Sequence, residues 1–268
     1  MKFSTPFAFL RTLWANRLLI VRMTVYDLKM RYLGSSMGIL WGFVSPLVTI
    51  GVYWVVFKYG LKAHAPSGGD FGPWFIAGIL PWFLFSEVML NGCGAILEKP
   101  YLVQKLVFRV EFLPFIKLMS SLLVHGILVT ICITAFTWQT GSFSTDIPQL
   151  LYYMAGLSCI ALGGAFLFSA ITVFIRDMTQ ILQVILQLLF WLTPILWTYA
   201  MLPESLRRWF QLNPLACFVE GYRAALLGGD PFWLHPNQQI FFWGTAALAL
   251  LGGAFIFLRL RPHFADVL

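Results

Sequence analysis

Gln180, Gln183 and Gln187 recur at three- and four-residue intervals inside an otherwise apolar run, MTQILQVILQLLFWLTPILWTY, Met178 to Tyr199. On a helix the three amides share one face, and the stripe continues through Trp191, Pro194 and Thr198. An amide turned toward lipid would leave its donors and acceptors unpaired at a cost of several kcal/mol. The face must therefore look at protein, water or a polar passenger. Amides both donate and accept, so they can meet hydroxyl groups in many orientations. The chemistry this spacing supports is passage: a helix lining the route of something polar across a membrane.

Reactive chemistry is sparse by comparison. No Gly-x-x-x-x-Gly-Lys-Ser/Thr pattern occurs, so the chain should not hydrolyse nucleotide itself. Few ionisable residues fall within apolar stretches: Glu87, Lys117 near an edge, and His125, which reads as a satisfied interhelical group. That is meagre for a proton relay. Glu87 and Asn91 share a helical face. A lone carboxyl in a span is a functional-site candidate; the alternative is a hydrogen-bonded group tying helices together, since no basic residue lies in the same span. The four cysteines, Cys93, Cys132, Cys159 and Cys217, are tens of residues apart without metal-ligand spacing and read as core residues. The loop acids Asp70, Asp146 and Asp230 stand singly, which argues against a membrane glycosyl- or phosphotransferase.

The elements that must position these groups follow from composition. Of 268 residues, 59% are hydrophobic and 11% charged, and the mean hydropathy is +0.80. This is the composition of an all-α polytopic membrane protein. Six spans are expected, at 37–57, 73–97, 112–138, 149–175, 178–199 and 239–258. Before them, residues 7–33 mix Arg11, Arg17, Arg22, Lys29 and Arg31 with apolar residues at helical intervals, an amphipathic helix on the membrane surface. The first span opens with Gly34, Gly38 and Gly42, a small face for close helix approach. A neighbouring stripe reads Trp41, Ser45, Thr49 and Tyr53, and Pro46 predicts a kink. Segment 98–111 is too polar for lipid and too apolar for a free loop. A short helix after Pro100, comprising Tyr101, Leu102, Val103, Gln104 and Lys105, would dock on a soluble partner. Segment 203–228 carries Glu204, Arg207, Arg208, Glu220 and Arg223, too many charges for a span. It reads as a re-entrant or interfacial helical pair broken at Asn213-Pro214 and closed by Gly228-Gly229. With both termini in the cytoplasm, thirteen of the eighteen basic residues fall on the cytoplasmic side, as the positive-inside rule requires. The net charge of +7 then reflects lipid headgroups rather than nucleic acid.

Four runs together carry a resemblance that extends over nearly the whole chain: DLKMRYLGSSMGILWGFVSPL (Asp27 to Leu47), GILPWFLFSEVMLNG (Gly78 to Gly92), FIRDMTQILQVILQLLFWLTPILW (Phe174 to Trp197) and NPLACFVEGYR (Asn213 to Arg223). In order and spacing they resemble the permease subunits of polysaccharide-exporting type-2 ABC transporters, those of O-antigen first and of capsule and teichoic acid next. The resemblance implies a homodimer in the bacterial inner membrane, paired with two copies of a cytoplasmic ATPase that holds ATP and Mg; no cofactor is implied for this chain. It implies export of lipid-linked polysaccharide through a channel at the dimer interface, lined by the first and fifth spans. Trp41 and Tyr53, with Phe190, Trp191 and Trp197, would form an aromatic belt around the sugar chain. Tyr101–Lys105 would be the coupling helix, and segment 203–228, with Asn213, Pro214, Glu220 and Arg223, the outer gate. Relatives often carry Asn and Phe-Pro where this chain has Glu98 and Phe108-Arg109, which leaves the start of the coupling helix open. A small-molecule or drug exporter permease is the alternative within the same class. A lipid-pyrophosphate end would need basic groups at the cytoplasmic face, for which Arg22, Lys29 and Arg31 are candidates. Simple membrane anchoring is the competing reading, and Lys29 and Arg31, two apart, do not share a helical face.

Overall fold

The computed structural model describes residues 6–31, 33, 35–66, 69–103, 108–141, 145–234 and 236–268, and every regular element among them is helical. Five helices are long and apolar enough to cross a membrane: Gly38–Gly60, Phe71–Cys93, Phe112–Gln139, Ile147–Phe174 and Pro236–Val267. In chain order the helices are α1 (Pro6–Ala15), α2 (Arg17–Arg31), α3 (Trp41–Val55), α4 (Phe71–Cys93), α5 (Pro100–Val103), α6 (Phe112–Thr140), α7 (Ile147–Phe174), α8 (Met178–Leu192), α9 (Glu204–Gln211), α10 (Pro214–Leu227), α11 (Pro236–Leu260) and α12 (Phe264–Val267).

The expected span 73–97 is helical only to Cys93, with a turn over 94–98, and two further departures have a clear physical reason. The expected span 178–199 is helical only to Leu192, and its 15 residues rise about 22 Å, short of the roughly 30 Å hydrocarbon core. Pro194 supplies the reason: it has no N–H to donate and pushes the residue before it out of helical geometry. Thr193 accordingly adopts φ −97°, ψ 136°. Trp197 and Thr198 therefore lie beyond the helix, and the glutamine stripe ends at Trp191. The second departure is at the N-terminus, where the expected single helix 7–33 is two, meeting at Asn16, whose Nδ2 donates to the Thr12 carbonyl at 2.8 Å. On α2, Ile20, Thr24, Asp27 and Leu28 are buried, and Ile20 packs with Phe112 and Ile116 at the start of α6. The opposite face, with Leu18, Val21 and Val25, is exposed. The expected amphipathic segregation is weak on α2: its inner face rests on protein and is half polar, while apolar residues point outward.

The core is built from α4, α6, α7, α10 and α11. At the α7–α11 crossing a Cβ on Gly163 would strike the Ala249 carbonyl, and one on Gly253 would strike the Gly163 carbonyl. Backbones therefore meet directly, the membrane-protein solution when no water is expelled by packing apolar side chains. α3 is the exception to this close packing: none of its residues is buried, and a Cβ on Gly38 or Gly51 would meet nothing within 4 Å. Gly34 lies outside the described residues.

Gly163→Val should destabilise the protein by at least about 1–3 kcal/mol through overpacking at this crossing, read as a fall in the melting temperature of detergent-purified protein. Gly51→Ala, on the open face of α3, should leave it unchanged.

Candidate functional site

α8 has one buried edge, Leu182 and Leu186. Gln180, Gln183 and Gln187 are all exposed, together with Val184, Leu188 and Trp191. The sequence-derived stripe is thus an outward face of the single chain, amides interleaved with apolar residues. On α3, Trp41 and Ser45 are exposed while Thr49 and Tyr53 are half-buried. Thr49 turns its hydroxyl back onto the Ser45 carbonyl at 3.0 Å, which satisfies it locally.

An aromatic cluster joins the two helices. Tyr53 stacks on Phe190 at 5.7 Å and 26°, and Trp82 of α4 meets Phe190 edge-on at 5.5 Å. Trp191 meets the same ring at 5.5 Å, and the Trp197 indole donates to the Trp191 carbonyl at 3.0 Å. Four of the five expected belt residues are therefore contiguous. Trp41 stands apart, twelve residues or about 18 Å along the helix from Tyr53. Pro194 is buried and shapes the chain behind the face.

The corner after α8 is held by α10. Arg223 is only 4% exposed. Its Nη1 donates to the Pro194 carbonyl at 2.9 Å and to Glu220 at 2.8 Å. Its Nη2 donates to the Ile195 carbonyl at 2.8 Å, and its Nε to the Trp74 carbonyl at 3.2 Å. The guanidinium also lies 3.6 Å from the centroid of the Trp74 ring. Gly78 makes room for it, since a Cβ there would stand 2.6 Å from Nη2. From the other end of α10, Asn213 caps the helix by accepting from the Leu215 amide at 3.0 Å, and its Nδ2 donates to the Thr193 hydroxyl at 3.0 Å. Asn213, Pro214, Glu220 and Arg223 thus act together: Pro214 opens α10, and the polar residues fix the chain where α8 stops. The Asn-Pro helix start was legible in the sequence. Trp74, Gly78 and Thr193 were not, because a carbonyl partner and an absent side chain leave no local pattern.

A second polar centre joins α2, α4 and α6, and sequence reasoning missed it. Asp27 pairs with Lys117 at 2.8 Å and Arg31 at 3.2 Å, and lies 3.9 Å from Lys99. Ser120 donates to Asp27 at 2.9 Å. Arg31 also pairs with Glu87, and Lys117 with Glu98 at 2.6 Å. Glu87 therefore has a basic partner, supplied by α2 rather than by its own span. Burial pushes the Asp27 carboxyl up, but Lys117, Ser120 and Arg31 together hold it below the usual carboxylate range. Burial lowers the Lys99 ammonium. Of the three basic residues considered for a phosphate, Arg31 is engaged here, while Arg22 and Lys29 are exposed. The cluster runs directly into α5, where Tyr101 is exposed and Leu102 packs on the core. Nothing of the Val103 side chain is described, and Gln104 and Lys105 lie outside the described residues.

Two smaller sites complete the survey. His125 is buried, with Nε2 3.0 Å from the Tyr222 hydroxyl, an α6–α10 contact. Gly34 to Gly38 has the Gly-x-Ser-x-Gly spacing of a nucleophile elbow, but that device needs a strand-to-helix turn. Ser36 sits between helices, and no strand occurs among the described residues.

This arrangement is that of a polytopic membrane subunit with an outward polar and aromatic face and little reactive chemistry. Residues 19–227 match the profile of the ABC-2 type transporter family, and the chain belongs to that family. It is 27% identical over 257 residues to the O-antigen export system permease protein RfbA of Klebsiella pneumoniae, covering 93% of this chain and 95% of the relative. A protein of the same description from Myxococcus xanthus is 26% identical over 223 residues, 80% of this chain and 82% of the relative. The polysialic acid transport protein KpsM of Escherichia coli is 21% identical over 212 residues, 76% and 79% respectively.

Arg223→Ala would strand the buried Pro194 and Ile195 carbonyls; at about 1–3 kcal/mol for each unsatisfied buried group, the melting temperature should fall sharply. Arg223→Lys keeps the charge but not the fork, so an intermediate fall is expected; wild-type melting in both would refute the clamp. Asp27 supplies a pH test. Its folded-state carboxyl is depressed, so its contribution is present above the unfolded value near 3.8 and is lost as pH falls through the folded value. Melting temperature should therefore decline below about pH 4, with a shallower slope in Asp27→Asn.

Proposed function

We propose that this chain is the membrane permease of an ABC exporter carrying lipid-linked polysaccharide, of the O-antigen kind, across the bacterial inner membrane. The observation that carries this reading is the outward α3/α8 face, bearing three exposed amides and an aromatic cluster, in a chain similar over nearly its full length to O-antigen export permeases. Similarity to the polysialic acid protein is lower and covers less of the chain, which favours O-antigen over capsule.

A sugar ring has an apolar C–H face and hydroxyl edges. Aromatic planes meet the first and amides the second. Uncharged, repeated contacts suit a polymer that must slide. Two copies of the chain facing each other across α3 and α8 would enclose such a route and cover the apolar residues that the single chain leaves bare. The passage would run from the side of α2 and α5, where exposed Arg22 and Lys29 can meet a pyrophosphate, to the side of α9 and α10. Both termini would be cytoplasmic, α8 with its bent extension would serve as a sixth crossing, and α9 and α10 would form the re-entrant outer pair. Energy would come from a separate ATPase, holding ATP and Mg and seated against α5.

Trp191→Ala and Tyr53→Ala each remove an aromatic contact of about 0.5–1.5 kcal/mol, so polymer at the cell surface should fall a few-fold to about tenfold with dimer yield unchanged. Export at the wild-type level in both would refute the belt. The purified chain alone should not hydrolyse ATP, and mild-detergent purification from its host should bring an ATPase with it; a stable monomer lacking such a partner would count against the assignment.

A further inference from the structure

A cavity of about 620 Å³ lies between α10 and the start of α11, separated from the α3/α8 face by Tyr199, whose ring meets Trp197 at 5.9 Å. That volume falls in the range of small-molecule sites, roughly 300–1,000 Å³. Its floor is the small-residue side of α10, Ala216, Gly221 and Ala224. Gly221 is required there, because a Cβ would stand 2.5 Å from the Tyr153 ring. Tyr153 and Tyr199 contribute aromatic walls, as do Phe232 and Phe241. Tyr199 is fixed by donating its hydroxyl to the Phe210 carbonyl at 3.2 Å, and Phe232 by stacking on Tyr152 at 4.0 Å.

The polar groups decide what would fit. Glu220 and Asp230 contribute carboxylates, and Asn237 and Gln238 contribute amides from the first turn of α11. Among the described residues, no Lys, Arg or His lines the cavity, and the neighbouring Arg223 is committed to the α8 corner. With Glu220 already paired to Arg223 and Asp230 adding a further carboxylate, the described lining offers a phosphate no free cation. Flat aromatic walls with acceptors and donors at their edges match a neutral, hydroxyl-rich ring. The Tyr153 hydroxyl accepts from Gln239 Nε2 at 3.3 Å, which leaves its own O–H to donate. The cavity also lies at a defined end of the molecule. Tyr153 is near the start of α7, whereas Phe174 at the other end of that helix meets Phe264 in the C-terminal segment.

We propose that this cavity is a second carbohydrate-binding site, outside the α3/α8 route, holding sugar units of the exported polymer where it leaves the membrane. The proposal rests on the polysaccharide reading above and deepens it: the route passes the chain, and the cavity retains part of it after passage. Glu220 links the two, since one carboxylate lines the cavity and also pairs with the arginine that sets the α8 corner.

The test uses a benzophenone amino acid placed singly at Gln238 in the cavity, at Leu188 on the α8 face, and at Leu248, an exposed position on α11, in cells making their native polymer. After irradiation the purified permease is stained for covalently attached glycan. Adducts are expected at Gln238 and Leu188 and not at Leu248. With the probe at Gln238, Asp230→Leu combined with Asn237→Leu removes hydroxyl partners and should cut the adduct by about threefold or more, leaving the Leu188 adduct unchanged. An adduct at Leu188 alone would overturn the cavity site while leaving the export route standing. Adducts at none of the positions would overturn both. A Gln238 adduct that the double substitution leaves unchanged, or one matched at Leu248, would show mere proximity and also overturn the site.

Discussion

A helix that ends inside a membrane protein must hand its free carbonyls to something, because lipid offers no donor. At the end of α8 the Thr193 hydroxyl donates to the Leu189 carbonyl, the Thr193 amide to Phe190, the Trp197 indole to Trp191 and the Asn213 Nδ2 to Leu192. One guanidinium takes over for the extended chain just beyond. Arg223 reaches the carbonyls of Pro194 and Ile195 from α10 and the carbonyl of Trp74 from α4. Only Arg presents enough donors in a fixed fork to serve three directions at once. Pro194 ends α8, Arg223 holds the Pro194 and Ile195 carbonyls just past that end, and Asn213 on the adjoining Thr193 hydroxyl fixes its angle. The outward face of α8, with its amides and Trp191, is held from behind by this corner.

At the opposite end the same physics takes an ionic form. Asp27, only 4% exposed, is surrounded by Lys117, Arg31, Ser120 and Lys99. Glu87, whose position inside a span would be costly unpaired, joins through Arg31. The consequence is mechanical. α2, α4, α6 and the chain leading into α5 share one set of ion pairs, which ties the start of α5 to the long helices. Breaking one partner of such a cluster leaves another charge buried and alone, which is why these groups act as a unit.

Much of this was legible in the sequence where the signal is local. Apolar runs with flanking charges marked the long helices, the three-four spacing of Gln180, Gln183 and Gln187 placed the amides on one helical face, and Asn213-Pro214 marked a helix start. Tyr53 and Phe190, which the resemblance assigns to one aromatic belt, stack on each other. What stayed hidden depends on distance along the chain or on missing atoms. Glu87 and Arg31 are 56 residues apart and Asp27 and Ser120 are 93 apart, so Glu87 seemed unpaired from its own span. Pro194 was visible, but the apolar run continues past it to Tyr199, and hydrophobicity alone does not distinguish a bent span from one that ends. The cavity beside α10 is built on Gly221 and Ala224, whose contribution is the space they leave.

α3 and α8 remain the least covered long elements, and they carry the face proposed to line the export route. The most direct test places the purified permease with its partner ATPase in proteoliposomes and supplies lipid-linked polymer from outside. Polymer reaching the lumen is then counted per ATP hydrolysed. The account predicts ATP-dependent accumulation that collapses when Gln180, Gln183 and Gln187 are all replaced by Leu, while ATP hydrolysis continues. Undiminished transport in that variant, or accumulation without the ATPase, would contradict it.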